Sequence, residues 1–304
     1  MLQIRRVLFP TDYAPCADRA FAHAAFLAER LDAVLEVVHV APVTGDARDR
    51  AGLYHSASGV ERDDRIVRSP DPAEAILERS RHADLVVMGT HGRRGVVRIA
   101  VGSTTERVVR GADCPVLAVG IDAERSVPAT VDRVLVPVDF SASSASALAV
   151  ADALAALYDA TVDVVHAVYV PDIPGVYGIG LQFPGTYPDV VSSAGRALRG
   201  LVQQHVEDGR VGEIVTRVGP PVPTILEEAE RLGSGLMVTP THGRTGLARL
   251  ATGSVAEAVL RRAPCPVLSL PSFGRIPLAP DLEVERPVAR PSLELADVLA
   301  NHDV

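Results

Sequence analysis

Arg6-Val7-Leu8-Phe9-Pro10-Thr11-Asp12 and Arg133-Val134-Leu135-Val136-Pro137-Val138-Asp139 are two copies of one stretch, set 127 residues apart. Each is a short apolar run that stops at a proline and ends on an acid, the pattern of a buried strand handing over to a helix start. Matches continue outward from it. Val37-Val38-His39-Val40 returns as Val164-Val165-His166-Ala167 at the same offset. Beyond that point the offset is 151. Thr90-His91-Gly92-Arg93 returns as Thr241-His242-Gly243-Arg244, Val101-Gly102-Ser103 as Thr252-Gly253-Ser254, and Cys114-Pro115-Val116-Leu117 as Cys265-Pro266-Val267-Leu268. The chain is therefore written twice. Its second copy holds a net insertion of 24 residues, the difference between the two offsets, and the Pro/Gly/Tyr-rich stretch Pro171 to Pro188 is the expected place. Two units follow, 1–125 and 126–271. Residues 272–304 match neither; with Pro277, Pro280, Pro287 and Pro291 they read as an extended tail, with a short helix expected over Ser292–Ala300.

Within each unit apolar runs alternate with helical spacing. In the first, strands are predicted at Val7–Pro10, Val34–Val40, Arg65–Arg68, Leu85–Met88 and Val116–Val119. Helices are predicted at Ala17–Leu31, Pro72–Arg81 and Ser103–Arg110. Near-continuous apolar strands separated by helices indicate a parallel sheet covered on both faces. Each half is thus a doubly wound α/β domain whose ligand crevice lies beyond the strand C-termini, at the point where the strand order reverses. The last strand of each copy is short and apolar, and an open edge of that kind invites aggregation, so the copies are expected to pack on one another as a pseudo-dimer.

Composition narrows the function. The 304 residues are 47% hydrophobic and 22% charged, which supports sizeable cores. Aromatics are 4% and Trp is absent, so those cores are aliphatic. A net charge of -8 argues against nucleic acid or an anionic membrane as partner, since both need a basic footprint. All 30 basic residues are arginine, which excludes a Walker-A lysine and a Schiff-base lysine. Cys16, Cys114 and Cys265 form no CxxC pair, and an odd, sparse set fits a reducing compartment. The apolar start is too short for a signal peptide and no run of 18 apolar residues occurs, so the expected address is the cytoplasm.

The informative residues gather at the predicted strand ends. Asp12 follows the first strand, Val40 ends the second, and the loop Gly89-Thr90-His91-Gly92-Arg93-Arg94-Gly95 follows the fourth. Gly102-Ser103-Thr104 then opens a helix. Glycine lets backbone approach an anion, and a helix N-terminus offers unpaired N–H groups with a favourable dipole. Two separated glycine elements suit a polyphosphate. Asp12 suits a ribose hydroxyl, or a Mg²⁺ carried in by phosphates.

The pattern Gly89-x2-Gly92-x9-Gly102-Ser103, set between apolar strands and followed by Cys-Pro-Val-Leu, resembles the universal stress protein family over both halves. The resemblance implies a Rossmann-like, mostly parallel five-stranded domain that pairs with a second copy and, where the glycine motif is present, binds ATP. It implies that Pro10, Thr11 and Asp12 lie by the nucleoside and Val40 by the adenine. Gly89, Gly92, Arg93, Gly102, Ser103 and Thr104 would line the ribose and phosphates, and Met88 and His91 are counted in the same ATP site. The second-half counterparts are Pro137, Val138, Asp139, Ala167, Thr239, Gly243, Arg244, Gly253, Ser254 and Val255. ATP, with Mg²⁺, is the implied ligand; a homodimer of the whole chain and a regulatory protein partner are implied as well. Two departures stand out. Pro240 stands where the first half has Gly89, and Arg68-Ser69-Pro70-Asp71 stands where the second half has Val218-Gly219-Pro220.

Three functions compete: a nucleotide-binding regulatory module with little turnover, a slow ATPase or adenylate-transfer enzyme, and an interaction scaffold that binds no nucleotide. Neither a Ser-Gly-Gly-rich loop after the first strand nor a His-x-Gly-His signature is present, against transfer. His39 and His166 read as packed or edge histidines, and Cys114 and Cys265 as small core residues. Arg107, Arg110, Arg261 and Arg262 read as solvated helix faces. For His91 and His242, ligand contact and loop stapling stay open. Tyr177, Phe183 and Tyr187 cover either the second crevice or a partner surface.

Overall fold

A computed structural model of the chain describes residues 2–44, 60–90, 101–120, 128–169, 186–241, 253–271 and 274–278. The first half runs β1 (Arg6–Thr11), α1 (Pro15–Leu31), β2 (Val34–Ala41), β3 (Arg62–Arg68), α2 (Pro72–Ser80), β4 (Leu85–Gly89), α3 (Ser103–Gly111) and β5 (Val116–Val119). The second runs β6 (Arg133–Pro137), α4 (Ala142–Tyr158), β7 (Thr161–Val168), α5 (Thr186–His205), β8 (Val211–Val218), α6 (Pro221–Leu232), β9 (Leu236–Pro240), α7 (Ser254–Arg262) and β10 (Val267–Leu270). Every strand expected in the first half is present, longer by up to three residues at an end. The loops at 91–100 and 242–250, most of the insertion and the predicted helix at Ser292–Ala300 lie outside the described residues.

Local chemistry accounts for the element ends. Asp71 caps α2 by accepting from the N–H groups of Ala73 and Glu74, with Pro72 at the first helical position. α1 and α4 both stop at an aspartate in the left-handed region, Asp32 at φ 52° and Asp159 at φ 58°. Ser69 and Gly219 donate equivalent N–H bonds to Ala41 O and Val168 O, so this departure between the copies leaves the turn intact.

The strands form one sheet of ten, ordered β3-β2-β1-β4-β5-β10-β9-β6-β7-β8. Each half is parallel throughout, and its order reverses between β1 and β4, or between β6 and β9. The halves meet where β5 pairs antiparallel with β10, in the register Val116↔Ser269, Leu117↔Leu268 and Ala118↔Val267. One core holds Phe9, Leu27 and Leu117 together with Leu148, Leu154 and Leu268; the core on the other face joins Val38, Met88 and Val108 to Leu135, Met237 and Val259. Both cores are continuous across the join.

Side chains brace that join on both faces. Glu106 and Arg110 of α3 and Glu257 and Arg261 of α7 form a reciprocal ring of ion pairs. Its cross-half contacts are Arg261–Glu106 at 2.8 Å and Arg110–Glu257 at 3.6 Å. Arg110 and Arg261 are thus not simply solvated decoration, and Arg107 pairs with the capping carboxylate of Asp71 at 2.8 Å. On the other face Tyr158 stacks on Phe26 at 4.7 Å between ring centres and hydrogen-bonds the fully buried His23 at 3.3 Å. The segment 274–278 returns from the second half to the first. Arg275 donates to the carbonyls of Arg81 and Ala83, and Gln3 N–H donates to Pro277 O.

Two outcomes follow from this arrangement. Residues 1–125 alone would bare the β5 edge and the apolar faces around Leu117, so light scattering should find a homodimer or a precipitate; a stable monomer would refute the role given to the join. Cys114 is buried, and burial pushes its thiol up to about 12. Iodoacetamide at neutral pH should leave Cys114 unlabelled in the folded chain and label it after denaturation, as read by peptide mass spectrometry.

Candidate functional site

The parallel strands of each half end together, and the crevice opens at the reversal between β1 and β4. Val86 and Thr90 donate N–H bonds to Pro115 O and Val119 O on β5. Backbone alternation therefore turns the Gly89 N–H the other way, toward β1 and the crevice. Helix α3 begins just beyond, and its first intrahelical bond runs from Glu106 N–H to Gly102 O, 3.0 Å. The N–H groups of Ser103, Thr104 and Thr105 precede it, and they are the donors a phosphate takes at a helix start. Ser103 is exposed and Thr104 half-buried.

Gly102 has a duty that spacing alone does not reveal. Its N–H donates to Thr90 O at 2.6 Å, and a Cβ built on it would stand 3.0 Å from that same oxygen. The glycine lets the helix start dock against the end of β4. Thr105, which has no counterpart in the sequence expectations, strengthens the docking by donating its hydroxyl to Gly89 O at 2.9 Å. At 151 residues on, Ala256 carries no hydroxyl to do the same.

Asp12 sits in the tight turn between β1 and α1. Its Oδ1 accepts from Ala14 N–H at 3.0 Å, and Thr11 Oγ1 accepts from Tyr13 N–H at 2.9 Å. Val40 is half-buried near the end of β2, in register with Val67. Pro10, Met88 and Gly89 complete the strand ends. The structure thus brings Pro10, Thr11, Asp12, Val40, Met88, Gly89, Gly102, Ser103 and Thr104 to one end of the first half. His91, Gly92 and Arg93 lie outside the described residues, as do Gly243 and Arg244.

The second half repeats the frame with different polar chemistry. Asp139 accepts from Ser141 N–H at 3.0 Å and from the Ser144 hydroxyl at 2.5 Å, and its own N–H donates to Ser144 Oγ. The first half has Ala14 and Ala17 at those serine positions. Gly253 N–H donates to Thr241 O at 2.7 Å, matching Gly102. The start of α7 reads Ser254-Val255-Ala256, one hydroxyl where α3 has three. Pro240 ends β9, and the ladder to β10 uses the N–H groups of Met237 and Thr241. Proline therefore removes no bond to β10. What it removes is the N–H on the crevice side. Pro137, Val138, Thr239 and Ala167 lie at the ends of β6, β9 and β7 as expected.

The universal stress protein family model matches residues 3–65, 48–120 and 130–271, so it covers both halves. The chain belongs to the universal stress protein family. A universal stress protein of Mycobacterium tuberculosis is 32% identical to it over 200 residues, 65% of this chain and 65% of that protein. The match thus spans slightly less than two thirds of the relative's length. The crystal structure of a universal stress protein from Archaeoglobus fulgidus superposes with a TM-score of 0.64 at 20% identity, covering 88% of this chain and 98% of that one. A putative universal stress protein from Pseudomonas aeruginosa superposes at 0.66 with 19% identity, covering 89% of this chain and 94% of that one. These likenesses establish the tandem Rossmann-like fold. Among the described residues no helix is long and apolar enough to cross a membrane.

The contact of Gly102 with Thr90 O sets a control for any binding study. Gly102→Ala forces that carbonyl aside, and it should cost about 1–3 kcal/mol of stability in urea unfolding without any ligand present. No loss would mean that the helix start shifts freely.

Proposed function

We propose that this member of the universal stress protein family is a regulatory nucleotide-binding protein of the cytoplasm that holds ATP, with Mg²⁺, and turns it over little or not at all. The observation that carries the reading is the start of α3. Three consecutive N–H groups and the hydroxyls of Ser103 and Thr104 stand there, docked by Gly102 and the Thr105 hydroxyl onto the end of β4, beside the strand that runs into Asp12. Such a donor set neutralises phosphate oxygens without lysine. Pro10, Thr11 and Val40 give the neighbouring strand ends an apolar shelf with one hydroxyl, which suits a nucleoside. Among the described residues no group of three His, Cys, Asp or Glu side chains is placed to hold a metal by itself, so Mg²⁺ would arrive with the phosphates and meet Asp12. Phosphoryl transfer in many nucleotide enzymes uses a phosphate-binding lysine, and this chain has none, which supports the low-turnover reading.

The second crevice is proposed to be weaker. It lacks the backbone donor at Pro240 and the hydroxyl that Thr104 supplies, Val255 standing in that place. A lost charge-assisted hydrogen bond is worth about 1.5–3 kcal/mol, roughly a ten- to hundredfold in affinity.

Calorimetric titration of the full chain with MgATP tests both statements. Expected are one strong site weakened by Asp12→Ala and a second site weaker by the factor above, strengthened by Pro240→Gly. Two equal sites indifferent to Pro240→Gly would remove the argument for inequality. No binding at all would leave the scaffold function instead. ADP release near the enzyme median of about 10 per second would make the chain an ATPase.

A further inference from the structure

Two histidines outside the glycine loops occupy equivalent places in the halves and hold equivalent contacts. His39 Nδ1 lies 2.8 Å from Thr11 O, and His166 Nδ1 lies 2.7 Å from Val138 O. A carbonyl oxygen only accepts, so Nδ1 carries the proton in both rings. Against each ring packs the aromatic side chain that follows the aspartate. Tyr13 and His39 have ring centres 4.8 Å apart, and Phe140 and His166 4.6 Å. Both aromatics hold left-handed backbone, at φ 60° and 61°, a region that bulky side chains avoid unless their surroundings impose it.

The aspartate of each crevice therefore stands between two anchors on one imidazole. The carbonyl before it accepts the ring N–H, and the left-handed aromatic after it lies against the ring. Comparison of the halves separates this device from the rest of the turn. Thr11 becomes Val138, Ala14 becomes Ser141 and Ala17 becomes Ser144, so every hydroxyl in the turn differs. The imidazole, the accepting carbonyl and the left-handed aromatic are the same in both.

We propose that His39 and His166 are positioning residues for the two crevices, each fixing through one ring the turn that presents Asp12 or Asp139 at the strand end. Their role is exerted through the turn and not on the ligand. This rests on the nucleotide reading of the site, and the test separates the two.

The full-length chain and its His39→Ala, His39→Phe and His39→Asn variants are titrated with MgATP, with thermal unfolding as a check on folding. Phe keeps a ring without the donor; Asn places an amide N–H where Nδ1–H stands. Loss of one positioning hydrogen bond should weaken ATP binding about tenfold in His39→Ala and His39→Phe, and His39→Asn should recover it to within about threefold of the parent. His39→Phe binding as well as the parent, or His39→Asn failing to recover, overturns the positioning role while leaving the nucleotide reading intact. If the parent chain binds no ATP, the nucleotide reading fails and the hold on the turn is judged without ligand. Nitrogen-15 spectra of the labelled histidines should then show the Nδ1-protonated tautomer for His39 and His166. The Nε2-protonated tautomer in either would overturn the device there.

Discussion

The antiparallel pairing of β5 with β10 is the contact on which the rest of the molecule depends. Each strand is four residues long and buried, apolar throughout in β5 and but for Ser269 in β10, and each ends its own half. Left open, either would be an edge able to recruit any passing strand. Because the partner is tethered in the same chain, pairing is intramolecular and needs no second molecule. The pairing then dictates the neighbours. It sets α3 beside α7, where the Glu106–Arg110–Glu257–Arg261 ring closes, and α1 beside α4, where Tyr158 reaches Phe26 and His23. It also fixes where the crevices lie. The two halves run antiparallel at the join, so their strand C-termini, and with them the two candidate sites, face opposite ends of the sheet.

Duplication has preserved this frame while letting the polar detail drift. Buried acids show it clearly. Glu36 of β2 and Asp163 of β7 stand at matching positions and each answers the arginine that starts the preceding strand, Arg6 or Arg133. The longer Glu36 also takes Arg79 of α2. The shorter Asp163 accepts from Glu213 N–H as well, and it fits because Gly212 has no Cβ to collide with its Oδ1. A buried charge needs its lone pairs met, and the two halves meet them with different partners. The crevices follow the same pattern: a constant backbone frame with donors that differ in number between α3 and α7.

That frame separates two uses of glycine that look alike in sequence. Gly102 serves the docking of the helix, because its neighbour is the carbonyl of Thr90. The Gly89 position tolerates proline in the other half, because the N–H there belongs to no ladder bond with the central strand, β5 or β10. A glycine spacing therefore mixes a position that docks a helix with one whose N–H is left out of the ladder to β5 or β10. Only the hydrogen-bond partners tell them apart.

Sequence by itself determined the duplication, the order of strands and helices, and the end of each half at which the candidate site residues gather. These depend on local period, caps and turn residues: the apolar run before Asp12, Pro72 behind the Asp71 cap, the glycine spacing repeated at a constant offset. It also shows the exchange of Gly89 for Pro240 between the two copies. What only the tertiary structure decided are contacts between surfaces distant in the chain. Arg110 and Arg261 read as solvated because a helix's own period cannot say which helix lies beside it. His39 read as a packed histidine, and its bond to Thr11 O exists only once β2 lies against β1 in register. Thr105 gave no signal at all, since a buried threonine in a helix is ordinary until its hydroxyl is seen to meet Gly89 O. Local patterns are written in neighbouring residues, whereas register and the pairing of β5 with β10 emerge only when the whole sheet is assembled.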